Sequence, residues 1–333
     1  ALFLTEPDNR MFFDIHPDVG ITRIELKTVP PVSRLFPRLT TLFSILRLRN
    51  FLISTSTTTV LSFLPGPNVI SIIAAWGLGI RTIISERNSI QHRKLPRVWQ
   101  FLRRITYRQA SLITINLEAN RPILKIWCPK SRIVLLPNPI SVSKPSSRSQ
   151  GNGQTILAVG RLSKQKAFDV LIEAFAKSDC SSTGWHLQIV GQGEEQLSLQ
   201  DQITNYRLES TVTISPFTGE VWAEFGHCSF FVMPSHYEGM PNALLEAIAV
   251  GLVPVVSEGV GDIAKKLIVY DSRLVFQSGN VAQLTSILNF LRTEPNLPLS
   301  FSKTADKLIA PYRLSAAIPA WTQTVFPPRR SGS

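Results

Sequence analysis

Ser235-His236-Tyr237-Glu238-Gly239-Met240-Pro241-Asn242-Ala243-Leu244-Leu245-Glu246-Ala247 sets two carboxylates eight positions apart, with a glycine, a proline and the start of an apolar run between them. Just before it, Phe230-Phe231-Val232-Met233-Pro234 is a short apolar run closed by proline, the pattern of a buried strand. Pro241 suits the first position of a helix, where its fixed φ fits and its missing N–H costs nothing. Leu244, Leu245 and Ile248 then share one face, and Gly251 supplies a stop. The stretch predicts strand, tight loop, helix. Glu238 stands at the loop mouth and Glu246 in the early helical turns, and the first backbone N–H groups open onto the same space. Two readings of the carboxylates are open here: acids that favour a helix N-terminus and do nothing more, or paired acceptors for a hydroxyl-rich ligand.

The same alternation runs outward in both directions. Upstream, Leu2–Thr5, Ile21–Leu26, Thr58–Leu64, Arg81–Ser85, Leu112–Ile115 and Ile133–Leu136 read as strands. Helical patterns over Ser33–Phe51, Val69–Ala75 and Val98–Ala110 stand among them, with Pro65-Gly66-Pro67 read as a stop. Ser141–Gly153 is rich in Ser, Gly and basic residues and reads as a linker. The pattern then restarts with strands at Thr155–Val159, His186–Val190, Thr211–Ile214, Val253–Val256 and Leu274–Phe276. Helices are expected over Asp169–Ala176 and Ala282–Leu291, and a mostly helical tail over Ser302–Phe326. This is an α/β chain with parallel sheets. It divides into a first domain over 1–140, the linker 141–153, a second domain over 154–310 and a C-terminal helix and tail over 311–333.

Composition narrows the function. The 333 residues carry three cysteines and five histidines without metal-ligand spacing, so no metal is expected and a reducing compartment is. No apolar run reaches the roughly 18–20 residues of a membrane span. The net charge of +12 is one-sided. Residues 1–150 hold 21 Lys and Arg against seven Asp and Glu, and residues 151–333 hold 14 against 16. A basic first half implies an anionic partner. Ser33–Phe51 is a basic amphipathic helix, suited either to an anionic membrane surface or to ordinary packing. Aromatic and basic residues are not interleaved as in nucleic-acid binders, so nucleic acid is not the expected partner.

Ligands of open α/β sheets collect beyond the carboxyl ends of the strands. Arg161 and Lys166 lie after one such strand with Gly160 at the turn, two cations placed for a diphosphate. Gly191-Gln192-Gly193 follows the next strand; it lacks the third glycine of a dinucleotide fingerprint and reads as a strand-end turn where backbone comes near a ligand. Phe217 and Thr218 follow a third strand, and Glu238 with Glu246 a fourth. Cations for phosphates and carboxylates for diols describe a nucleotide-sugar site.

Gly160-Arg161-Leu162-Ser163-Lys164-Gln165-Lys166-Ala167-Phe168-Asp169 and the Glu238–Glu246 pair within Glu-Gly-Met-Pro-Asn-Ala-Leu-Leu-Glu-Ala resemble the retaining glycosyltransferases of family 4. Phe63-Leu64 with Asn68, Ile84-Ser85-Glu86-Arg87-Asn88 and Pro137-Asn138-Pro139 resemble the bacterial subgroup that builds polysaccharide or lipid-linked glycans. The resemblance implies a GT-B fold, two Rossmann-like domains facing a cleft. It implies a cytoplasmic enzyme, peripheral on the inner face of the cell membrane. That enzyme moves a hexose or N-acetylhexosamine from a nucleotide-diphosphate sugar, UDP- or GDP-linked, to a lipid-linked or polysaccharide acceptor without a cofactor. Arg161 and Lys166 would neutralise the leaving diphosphate, Glu246 hold the ribose, and Glu238 contact the donor sugar. The backbone of Gly239, Met240 and Pro241, beside Asn242, would position its hydroxyls, and Glu86 and Arg87 would face the acceptor. The family usually has glycine where Ala167 stands, and a glycine-containing turn where Tyr270-Asp271-Ser272-Arg273 stands. It also opens with a strand and a Gly-rich loop, whereas this chain opens on what resembles the second strand. The expectation is an incomplete first domain, short by about 30 residues, with weak or no transfer. Two rivals accompany this reading: a non-catalytic relative that binds nucleotide sugar or membrane, and a nucleotide-sugar epimerase or phosphorylase on the same fold.

Overall fold

The computed structural model describes residues 2–4, 21–23, 37–92, 95–140, 154–217, 225–226, 228–294 and 297–327. The chain divides into two units, Ala1–Leu135 and Leu136–Ser333.

In the first unit, β1 (Leu2–Leu4) and β2 (Ile21–Arg23) pair in parallel. The helix α1 (Pro37–Ser54) leads to β3 (Thr59–Phe63), α2 (Pro65–Ala75), β4 (Arg81–Glu86), α3 (Arg97–Thr106), β5 (Leu112–Ile115), α4 (Asn120–Trp127) and β6 (Ile133–Leu135). The strands β3-β4-β5-β6 form one parallel sheet in chain order. Ile84, Ile113 and Ile115 pack with Val69, Ile72, Tyr107 and Leu124 into its core. Pro65 and Pro67 do not delay the helix as expected. They occupy the first turn of α2, where a missing N–H removes no intrahelical bond. Likewise Pro122 sits in the first turn of α4, a helix not anticipated from its sequence.

The second unit holds six parallel strands: β7 (Thr155–Val159), β8 (His186–Val190), β9 (Val212–Ser215), β10 (Phe230–Met233), β11 (Val253–Ser257) and β12 (Val275–Phe276). Their spatial order is β12-β11-β10-β7-β8-β9. The chain winds outward from β7 through β8 to β9, then returns to the other side of β7 and winds the opposite way. This is the doubly wound order with its switch point between β7 and β10. Packed around the sheet are α5 (Phe168–Lys177), α6 (Gln196–Asn205), α7 (Asn242–Ala249), α8 (Asp262–Tyr270), α9 (Val281–Thr293), α10 (Leu297–Ile309) and α11 (Leu314–Val325). The central strands β7, β10 and β11 are buried almost throughout, so they read as near-continuous apolar runs of Val, Ile, Leu, Phe and Met. Pro254 is tolerated inside β11 because β12 pairs only with Val256 and Ser257, leaving one side of β11 an edge at position 254.

Residues 136–140, expected with the first domain, belong to the second unit. The Trp321 indole donates to the Pro137 carbonyl at 2.8 Å and the Ile140 N–H to Tyr312 O at 2.8 Å. The expected linker, 141–153, lies outside the described residues.

Candidate functional site

The loops that leave β7 and β10 meet at the switch point. Lys166 Nζ lies 2.7 Å from Glu238 Oε1, an ion pair whose two side chains are largely buried. Two further bonds close the same seam. The His236 N–H donates to Gln165 O at 2.9 Å, and Gln165 Nε2 donates to Tyr237 O at 2.9 Å. Gly160 makes room for the lysine: a Cβ there would meet Lys166 Cε at 3.0 Å. Arg161 stands on the β7 loop, exposed, with no ion pair among the described residues. The seam rests on Gln165, which the sequence reading did not single out; nothing in residue type marks it.

Gly191 and Gly193 are placed for a different contact from the one expected. A Cβ on Gly193 would sit 2.7 Å from Leu162 C and 2.8 Å from Leu162 N, and closer still to Leu162 O. The β8 turn therefore packs backbone to backbone on the β7 loop, fixed by Leu162 N–H to Gln192 O at 2.9 Å and Glu195 N–H to Leu162 O at 3.0 Å. These glycines serve loop against loop. Ala167, buried, takes the left-handed conformation at φ 51°, which accounts for a glycine preference at that position.

The helix α7 begins at Asn242, so Pro241 precedes the helix instead of opening it. Gly251, at φ 87°, provides the expected stop. Asn138 reaches this loop: its N–H meets Met240 Sδ at 3.0 Å and its Nδ2 donates to Asn242 Oδ1 at 3.2 Å. Asn138 thus ties Met240 and Asn242 of this loop to the chain after β6. Glu246 is half-buried on α7, its carboxyl without a hydrogen bond or ion pair among the described residues, and burial pushes that carboxyl up from the ordinary value. Ser215 and Ser235, at the ends of β9 and β10, have buried hydroxyls without a hydrogen-bond partner among the described residues. Phe217 is exposed beyond β9, and Thr218 lies outside the described residues.

In the first unit, Glu86 is not an acceptor-facing group. Its side chain is 0% exposed, 2.7 Å from Arg103 Nη2, and accepts from the Tyr107 hydroxyl. Asn68 Nδ2 donates to Tyr107 Oη at 3.0 Å, and Ser62 Oγ to Asn68 Oδ1 at 2.9 Å. A carboxylate at the end of β4 is thus turned inward, because two residues from the end of α3 and the turn after it satisfy it there. Burial raises its pKa and the Arg103 charge opposes the rise. Arg87 is partly buried, its Nε donating to Ser85 Oγ at 2.6 Å, and desolvation pushes its pKa down to about 10.

The chain is 29% identical over 199 residues to N-acetylgalactosamine-N,N'-diacetylbacillosaminyl-diphospho-undecaprenol 4-alpha-N-acetylgalactosaminyltransferase of Campylobacter jejuni, covering 56% of this chain and 54% of that protein. The chain spans about half the length of the curated relatives it matches. Sucrose-phosphate synthase of Thermosynechococcus elongatus superimposes with a TM-score of 0.77 at 15% identity, over 97% of this chain and 87% of that one. HepE of Anabaena, solved in complex with UDP, does so with a TM-score of 0.71 at 16% identity, over 89% and 83%. The fold is GT-B, an α/β architecture of parallel sheets. Residues 140–308, about half of the chain and most of the second unit, match the model of the glycosyl transferases group 1, and the chain belongs to that family.

Proposed function

We propose that the chain is a retaining glycosyltransferase. It moves a hexose or N-acetylhexosamine from a nucleotide-diphosphate sugar to a lipid-linked or saccharide acceptor, on the cytoplasmic face of an anionic membrane. The observation that carries this reading is the Lys166–Glu238 pair, with Arg161 beside it, at the β7/β10 switch point. Charge on the leaving diphosphate grows as the glycosidic bond breaks, so fixed cations there stabilise the transition state more than the bound donor. Glu238 holds Lys166 in place through their ion pair, and offers its other oxygen to the donor sugar. Glu246 accepts from a ribose diol. With no second carboxylate at the sugar face assigned as nucleophile, retention follows from attack by the acceptor hydroxyl on the face the diphosphate leaves. No resident cofactor is part of this scheme. The names of the Campylobacter relative, which acts on a diphospho-undecaprenol glycan, and of HepE, bound to UDP, support the acceptor and donor classes. Among the described residues no helix is long and apolar enough to cross a membrane.

A thermal-shift screen across nucleotide sugars tests the donor site, since a selective ligand stabilises the fold by mass action. Arg161→Gln is expected to leave basal stability unchanged and to weaken nucleotide-diphosphate affinity about ten- to a hundredfold. An unchanged affinity would remove Arg161 from the diphosphate site. Product analysis with labelled donor, with and without acceptor, separates transfer from epimerisation or phosphorolysis.

A further inference from the structure

We infer that the outward face of α3 is the element that enters an anionic lipid surface. This rests on the peripheral-membrane reading above and adds to it the place of contact.

A surface helix ordinarily turns its apolar stripe inward and its arginines to water. The helix α3 partly reverses this. Arg103 and Thr106 are buried, and Arg103 is held by Glu86. Trp99 and Leu102 complete the inner face against the core. On the other side Val98, Phe101 and Ile105 are 57%, 63% and 44% exposed. Spaced by three and four positions, they form one apolar line along the helix. Arg97, Arg104 and Arg108 are exposed along the same face. The end of α4 borders it. Arg104 lies 5.3 Å over the Trp127 ring, Arg108 Nε donates to Trp127 O at 3.0 Å, and the adjacent Ile126 is 78% exposed.

Charge decides which occupant fits. Between Glu25 and Glu118 the sequence holds 13 Lys and Arg and a single acid, Glu86. That acid is spent on Arg103 inside the unit. The α3 face therefore combines apolar side chains with cations, and the acids described in this unit, Glu86 and Glu118, are paired with Arg103 and Arg121. A bilayer containing acidic lipids matches both parts: phenyl and alkyl groups bury at the acyl boundary while guanidinium groups stay among the phosphates.

The experiment is co-sedimentation of the full chain with phosphatidylcholine vesicles, with and without phosphatidylglycerol, at low and high salt. The chain is expected to bind the acidic vesicles and to be released by salt. Val98→Ser, Phe101→Ser and Ile105→Ser together are expected to weaken binding about tenfold or more. Arg97→Gln with Arg104→Gln is expected to remove much of the salt-sensitive part. Ile318→Ser, an exposed apolar position in the second unit, is expected to bind as the parent does. UDP-induced thermal stabilisation is read on each protein and is expected to be unchanged, which keeps this test separate from the donor site. Parent-like vesicle binding by the serine triple variant would overturn the inference while leaving membrane association intact. Absence of binding by the parent chain would overturn both. Concentration-dependent self-association abolished by the triple variant, without vesicle binding, would assign the face to a second copy instead.

Discussion

Replacing Gly193 by alanine tests how the site is built. The new methyl would lie 2.7 Å from Leu162 C, against 3.4 Å for the start of ordinary contact, so backbone must move by at least 0.7 Å. No side chain can yield in its place, because every atom met belongs to the Leu162 main chain. Overpacking of this kind costs about 1–3 kcal/mol. The Leu162–Gln192 and Glu195–Leu162 bonds at 2.9 and 3.0 Å span the same contact, and straining them adds roughly 1 kcal/mol. The expected loss is about 2–4 kcal/mol, or on the order of 4–16 °C in the melting of a unit this size. The loop that shifts carries Arg161 and Lys166, and a displacement near 1 Å in positioned groups costs on the order of a hundredfold in turnover. Denaturant titration and donor turnover read the two effects together. Gly66→Ala is the control: its Cβ meets nothing within 4 Å and it lies in α2, so it should be neutral or slightly stabilising. If Gly193→Ala matched Gly66→Ala in both stability and turnover, the loop-on-loop account of the glycines would be wrong.

Three further outcomes are expected. Glu246 is raised by burial, so its folded form holds a proton more tightly than its unfolded form. Its contribution to stability is full below the ordinary value of 4.5 and lost as pH rises through the raised value. Glu246→Gln should remove that decline in pH-dependent denaturation, and should also abolish the weakening of nucleotide binding expected on acidification, read by calorimetry. Ala167→Gly relieves a left-handed strain of about 1–2 kcal/mol and gives up a buried methyl of about 0.8 kcal/mol, so the denaturation midpoint should rise slightly; a clear fall would mean the methyl outweighs the strain. Arg103→Met leaves Glu86 buried without its cation and should cost about 3–5 kcal/mol, most of which Glu86→Leu in the same chain should return; a double-mutant cycle with no coupling would remove the pair from the first unit's stability.

The central strands of the second unit were legible because β7, β10 and β11 are runs of mainly Val, Ile, Leu, Phe or Met buried almost throughout. Helices buried along one face were legible too, as with α5 and α9. The misses have physical causes. In α6, Gln196–Asn205, only Leu199 and Ile203 are buried, too thin a stripe to register as a period. The short helix α4 carries Pro122 in its first turn, a residue type that weakens a helical pattern in sequence. Arg161, Lys166, Glu238 and Glu246 stood out in the sequence because charged side chains at strand ends announce themselves, and the structure brings Lys166 and Glu238 together. Gln165 was not, because it contributes a carbonyl and an amide to other main-chain groups. Glu86 was read as outward-facing because sequence spacing does not show Arg103 and Tyr107 folding back over it. The glycines after β8 were assigned to a ligand when the nearest backbone was the protein's own.

The seam between the β7 and β10 loops joins segments about seventy positions apart, and part of it is blind to side-chain identity. His236 contributes its peptide N–H, so any residue there except proline keeps that bond to Gln165. Gly259 is the opposite case, since any β-carbon would collide with the main chain of Ser235 and His236. Drift at position 236 can therefore vary what the loop presents to a ligand while the register of Lys166 against Glu238 holds. Position 259 has no such freedom. Within one loop cluster the molecule separates a site open to retuning of specificity from one at which substitution is closed.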